Sequence, residues 1–136
     1  MPVAPCRSGN PKQIQITKEE NSKHYDLEDS SFAFAQRVRT FIRGLKRTIC
    51  NIEDGRQLVK ASGSVGAYYI EANEALSKKD FRMRIRISRK EVKESGYWLR
   101  LLDTDGNDRQ EQERQWLIGE ATELMNLFGS ILRKSE

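Results

Sequence analysis

Proline, cysteine and histidine are scarce in this chain, and each scarcity closes off a class of reading. Three prolines in 136 residues suit long helices better than a sheet protein rich in turns. The two cysteines, Cys6 and Cys50, give neither metal-ligand spacing nor a disulfide framework. They read as unpaired thiols of a reducing compartment, Cys6 in a polar tail and Cys50 in a turn between helices. The single histidine, His24, also falls in the tail. A Ser–His or Cys–His couple would depend on it, and a di-iron bundle would need Glu-x-x-His on facing helices. No apolar run approaches the roughly 20 residues that span a bilayer. The opening MPVAPCRSGNPKQ has no apolar segment after its early Arg7, so it is not a secretory signal. The expectation is a cytoplasmic, non-membrane protein without cofactor or metal, and not an enzyme.

What the chain does have is charge, unevenly placed. Charged residues make up 32% and the net charge is +4. Residues 30–50 carry five basic groups and no acid, and residues 78–100 carry nine against three acids. Residues 103–123 reverse the sign, with seven acids against two bases. Segregation of this kind speaks to partners more than the total does.

Hydrophobic spacing predicts an all-α fold, an antiparallel up-down four-helix bundle over residues 26–136, preceded by a disordered or loosely attached tail over residues 1–25. The first helix is expected from about Ser31 to Leu45, with Phe34, Val38, Phe41, Ile42 and Leu45 on one face and Asp29, Ser30 and Ser31 as candidate caps. The second is expected from about Ile52 to Leu76, capped by Asn51, with Leu58, Ser62, Val65, Tyr69, Ala72 and Leu76 at heptad steps. Its middle, ASGSVGA, places Gly63 and Gly66 inside the pattern, each costing about 1 kcal/mol against Ala. The unbroken periodicity favours close packing against a neighbour there. The third helix is expected from Ser77 to Leu102 and the fourth from about Gln110 to Arg133. The turn DTDGND stands between them, with Gly106 suited to positive φ. Leu117, Ala121, Leu124, Phe128 and Ile131 form the face of the fourth. Short connections make neighbours antiparallel.

The third helix carries the chemistry. Phe81, Ile85, Val92, Leu99 and Leu102 form one apolar stripe. At 100° per residue, Lys79, Arg82, Arg86, Arg89, Lys90, Lys93 and Arg100 fall within an arc of about 100°, and Tyr97 joins them. Guanidiniums in a row suit bidentate phosphate contacts, and a nearby tyrosine offers a stacking surface for an exposed base. Arg39 and Arg43, on the far side of the first helix, are further candidates. Three readings stand for the row: nucleic-acid contact, a solvated face, or pairing with the acidic 103–123 segment of another copy. The first is favoured because Asp80, Glu91 and Glu94 point away from it. Those acids share a sector with a second apolar stripe, Met83, Ile87, Trp98 and Leu101. A helix greased on two sides is central in its bundle or faces another subunit. Met83, Ile87, Glu91, Glu94, Trp98 and Leu101 are therefore the candidate oligomer interface, with the acids in salt bridges at its rim.

Several motif matches fail. GSVG (63–66) matches the G-x-x-G clamp of a nucleic-acid module that needs strands. No G-K-[ST] follows it, so a phosphate loop is excluded. DTDGND has its glycine at the fourth position where a calcium loop needs the sixth, and Arg114 occupies the place of the bidentate Glu.

The segments S-V-G-A, E-A-N-E-A, S-K-K-D-F, K-E-V-K-E-S and Y-W-L-R-L-L, spread over residues 64–102, together resemble a bacterial family of four-helix-bundle proteins. Its members are encoded by intervening sequences of 23S ribosomal RNA genes. The resemblance begins near Phe32 and covers all four helices. It implies an up-down bundle, assembly as a homopentamer, and kinship with the accessory variability protein of diversity-generating retroelements, which binds nucleic acid and a reverse transcriptase. Where the family has Asn after the G-A pair, this chain has Tyr68. The expected partners are structured RNA or DNA and further copies of the chain. The alternative is a protein–protein scaffold or accessory subunit, for example of a reverse transcriptase, whose basic face meets an acidic partner.

Overall fold

The computed structural model describes residues 22–136, with side chains from Leu27 onward. Most of the expected tail lies outside the described residues, and so does Cys6. Four helices follow in order: α1 Ser22–Arg43, α2 Ile49–Asn73, α3 Lys78–Leu101 and α4 Asp108–Lys134. Each packs on its chain neighbours, and α1 closes the ring against α4. Contacts such as Ser31 with Gly66 and Ile42 with Gly55 run in opposite senses along α1 and α2, so neighbours are antiparallel. In this ring α1 stands diagonally across from α3.

The core is the sum of the four apolar faces. Phe34, Val38, Phe41 and Leu45 meet Leu58, Val65, Tyr69 and Ala72; Ile85, Val92, Leu99 and Leu102 meet Leu117, Ala121, Leu124 and Phe128. Burying each large side chain contributes about 1.5–3 kcal/mol. Across the centre the Tyr69 and Phe128 rings lie 5.8 Å apart, tilted by 57°.

Local expectations hold at some ends and fail at others. Ser77 caps α3, accepting from the Asp80 amide at 3.0 Å, and Gly106 has φ +73 in the turn before α4. The start of α1 differs: the helix begins at Ser22, so Asp29, Ser30 and Ser31 lie within it and not at its N-cap. Ser31 is fully buried. The cap of α2 is Thr48, whose hydroxyl accepts from the Asn51 amide at 3.1 Å. Cys50 accordingly sits on the first turn of α2, exposed, and not in a connecting turn. Leu76 lies beyond the end of α2 and is fully exposed, not a core residue.

Asn51, expected as a cap, has a different task. Its buried amide donates to Lys46 O and Asp103 O, both at 3.0 Å, and accepts from the Asp103 amide at 2.9 Å. It ties the α1–α2 turn to the α3–α4 turn at one end of the bundle. Charged tethers join α3 to α4. Arg82 donates to Leu132 O and to Ser135 Oγ, both at 2.6 Å, at the C-terminus of α4. In return Arg114 of α4 donates to the carbonyls of Leu99 and Leu102 at the C-terminus of α3. Each arginine satisfies acceptors that a helix end leaves without intrahelical partners. Glu111 holds Arg114 in place at 2.6 Å. The hydrogen bond from Arg114, helped by one from Gln115, pulls the Glu111 carboxyl from 4.5 to about 2.

Of the two glycines of α2 expected to mark a close approach, Gly66 does so against α1, and Gly63 meets the flexible end of Arg39 instead. The helix runs through them without a break. A Cβ on Gly66 would stand 3.3 Å from Ser31 Cβ, and one on Gly63 would stand 3.3 Å from Arg39 Nη2. On the other flank the Ser88 hydroxyl of α3 donates to Val65 O at 2.9 Å, so small residues bring α2 near both neighbours.

Two predictions follow from this packing. Gly66→Leu should destabilise the fold by about 1–3 kcal/mol through overpacking, outweighing the roughly 1 kcal/mol gain in helix propensity; a urea midpoint at or above wild type would refute the close approach. Ser31 Oγ is buried with no hydrogen-bond partner, so Ser31→Ala should raise stability by about 1 kcal/mol. A third concerns acid. A carboxyl lowered on folding stabilises above its ordinary value of 4.5, and that stabilisation is lost as pH falls from there through about 2. Glu111→Gln should flatten the stability-versus-pH curve in that window, and an unchanged acid limb would sink the assignment.

Candidate nucleic-acid interface

The outer surface of α3 divides into two sectors, because its inner face is taken by Ile85, Ser88, Val92, Ser95 and Leu99. One sector flanks α4 and is basic; the other flanks α2 and is mixed apolar and acidic.

In the basic sector Lys79, Arg86, Arg89, Lys90, Lys93 and Arg100 are exposed. Arg86, Lys93 and Arg100 make no ion pair among the described residues. Lys90 turns to the next sector, pairing with Glu91 at 3.2 Å, and its pKa is raised chiefly by that hydrogen bond. Arg82 is the exception in the row. It is half-buried and spends its guanidinium on the end of α4. Of the two candidates on α1, Arg43 is exposed. Arg39 donates to Ala35 O at 3.0 Å and to Val59 O at 3.4 Å, as part of the α1–α2 seam.

Residues of α4 complete the basic face, and sequence reasoning missed them. An added Cβ at Gly129 would lie 3.8 Å from Arg89 Nε and 3.6 Å from Arg133 Nη1. Two guanidiniums from different helices therefore converge over one glycine. The missing side chain of Gly129 makes the room, and the antiparallel register sets Gly129, one turn before the end of α4, beside Arg89. The sequence signal was only a basic last turn on α4; its convergence with Arg89 depends on which faces meet. Further along, Lys93, Tyr97 and Arg100 rim a depression of about 310 Å³ floored by Ile118, Ala121 and Met125. Gly96 keeps it open, since a Cβ there would meet nothing within 4 Å. Tyr97 is 53% exposed and braced edge-on by Trp98, at 5.0 Å and 75° between rings.

In the mixed sector Met83 and Leu101 are each 48% exposed, and Ile87 and Trp98 are half-buried. Trp98 packs partly on the core. Among the described residues nothing covers the stripe fully. Of its acids, Glu91 is half-buried and Glu94 exposed. Asp80 pairs at 3.2 Å with Arg84, which also reaches Glu71 on α2.

A third cluster had no sequence signal. Arg37 of α1 pairs with Glu113 of α4 through Nε at 2.6 Å and Nη2 at 3.1 Å. Its guanidinium also lies 3.6 Å from the centroid of the Trp116 ring. Its position on the α1–α4 seam makes it a clasp between those helices. Among the described residues no group of three or more His, Cys, Asp or Glu side chains could hold a metal ion. No helix among them is long and apolar enough to cross a membrane.

Comparisons with known proteins agree with the motifs. No curated protein matches the chain. A solved structure from Bacteroides thetaiotaomicron, a protein of unknown function from the S23 ribosomal protein family, is similar at 28% identity with a TM-score of 0.65. The match covers 78% of this chain and 97% of that one. The family model described as 23S rRNA-intervening sequence protein matches residues 23–130, from the beginning of α1 almost to the end of α4. The chain belongs to the 23S rRNA-intervening sequence protein family.

Proposed function

We propose that the α3–α4 face binds the phosphates of structured RNA, without catalysis, in a protein that self-associates through the second stripe of α3. The observation that carries this reading is the meeting of Arg89 and Arg133 over Gly129 with Arg86, Lys93 and Arg100 free alongside. Like charges brought together without an acid repel, and an anion between them relieves the repulsion. A series of such groups along a helix suits a regularly charged polymer better than a single small anion. Tyr97, braced by Trp98 beside an open depression, adds a surface on which an unpaired base stacks. The family's description, which names an intervening sequence of 23S rRNA, makes ribosomal RNA fragments the first ligands to test.

The half-exposed stripe Met83, Ile87, Trp98 and Leu101 supports the second part. An apolar strip with acids at its rim suits another protein surface. Repetition of the basic face by symmetry would then add avidity, as in the homopentamer that the family resemblance implies. The same stripe supports the other reading, an accessory subunit of a nucleic-acid enzyme such as a reverse transcriptase, after the manner of the retroelement accessory protein.

Two experiments test these readings. Arg86→Gln with Arg89→Gln should flatten the slope of log affinity against log salt by about one to two units, at about 0.9 per phosphate for duplex DNA and about 0.7 for single strands. Thermal stability should hardly change, because exposed charges contribute little to folding. Wild-type affinity without salt dependence would defeat the nucleic-acid reading. For assembly, Trp98→Glu should yield smaller particles by light scattering, and a monomeric wild type would defeat self-association.

A further inference from the structure

On the opposite side of the ring, α1 and α2 leave a groove that nothing above uses. It holds a cavity of about 410 Å³, within the range of about 300–1,000 Å³ typical of small-molecule sites. Its floor is apolar: Ile42 and Leu45 from α1, Ile52, Gly55 and Val59 from α2. Gly55 sets its depth, since a Cβ there would stand 3.4 Å from Ile42 Cγ2. Its walls are cationic, with Lys46 and Arg47 from the turn and Arg56 and Lys60 from α2. No acid lines it. Lys46 is partly neutralised by Asp105 at 3.5 Å, whereas Arg47, Arg56 and Lys60 are exposed and make no ion pair among the described residues.

We infer that this groove is a second nucleic-acid subsite, which receives one unpaired nucleotide of a single strand. The base lies on Ile42, Ile52 and Val59; the phosphate on one side of it meets Arg47, and the next two phosphates on the other side meet Arg56 and Lys60. The inference rests on the nucleic-acid reading above but uses none of the same residues. Charge and shape select the occupant. A duplex keeps its base faces stacked inside and would leave the apolar floor uncovered, whereas an unpaired nucleotide offers a flat face between two phosphates. Arg56 and Lys60 stand one helical turn apart, about 6 Å along α2, so the two can hold successive phosphates of one strand.

The test uses the whole chain with a short single-stranded RNA carrying 4-thiouridine, and a duplex of the same sequence. Photocrosslinks from the single strand should map to residues 42–60. Arg56→Gln with Lys60→Gln should lower the single-strand salt slope by about 1.4, at about 0.7 per phosphate, and leave duplex affinity unchanged. Ile52→Glu, at a position already 36% exposed, should weaken single-strand binding about tenfold or more; should it fail to fold, the charge variant still decides. If the groove variants bind the single strand like wild type while Arg86→Gln with Arg89→Gln does not, the groove subsite is overturned and the α3–α4 face stands. If wild type binds neither RNA, both readings fall. A methyl NMR titration in which an acidic peptide moves the Ile42, Ile52 and Val59 signals and the RNA does not would also overturn the proposal, in favour of a protein occupant.

Discussion

Arg82 on α3 holds the last turn of α4, and Arg114 on α4 holds the last turn of α3. Helix packing by apolar side chains alone tolerates sliding, because one leucine substitutes for another at the next turn. A guanidinium aimed at specific oxygens of a helix end does not. The reciprocal pair therefore fixes the register of α3 against α4. That register decides that Arg89 and Arg133 meet over Gly129 and that Ile118 and Met125 floor the depression beside Tyr97. The basic face is thus a property of two helices locked at both ends, and not of α3 alone.

The bundle itself was legible in the sequence because burial leaves a period. Val38, Leu58, Val65, Ile85, Val92, Leu99, Leu117 and Leu124 are all buried as their spacing required. Gly66 was legible too, since a glycine kept within an unbroken heptad pattern signals a near neighbour. The errors came where one residue type serves two purposes. Ser31 looks like a cap and is a small buried residue facing Gly66. Asn51 looks like a cap and is a tether between turns. Leu76 continues the heptad arithmetic past the point where α2 ends.

The candidate site was half legible, for a related reason. Angular position on one helix shows which cations share a face, and it placed Arg86, Arg89, Lys93 and Arg100 correctly on an exposed one. It cannot show which long side chains bend back to a backbone carbonyl, as Arg82 and Arg39 do. Nor can it join residues far apart in sequence. Arg37, Glu113 and Trp116 form their clasp only because α1 and α4 close the ring. The Arg89–Arg133 meeting and the α1–α2 groove are of the same kind.

The two ends of the bundle are fastened by different chemistry. At the Asn51 end a neutral amide links both turns through three hydrogen bonds, in addition to the charged contacts of Arg114. At the other end, among the described residues, the side-chain hydrogen bonds that α3 makes to its neighbours all come from charged donors: Lys78 to Glu136, Arg82 to Leu132 and Ser135, and Arg84 to Glu71. Mobile ions screen the exposed charge pair of Arg84 and Glu71 and leave the amide almost untouched. Rising ionic strength therefore acts unevenly: the α2–α3 pair weakens, while Arg82, whose acceptors at α4's last turn are uncharged, keeps its hold. Arg133 rides on that last turn. Salt that would release a polyanion from the proposed α3–α4 face would thus leave Arg133 in place over Gly129, so release would need no local melting.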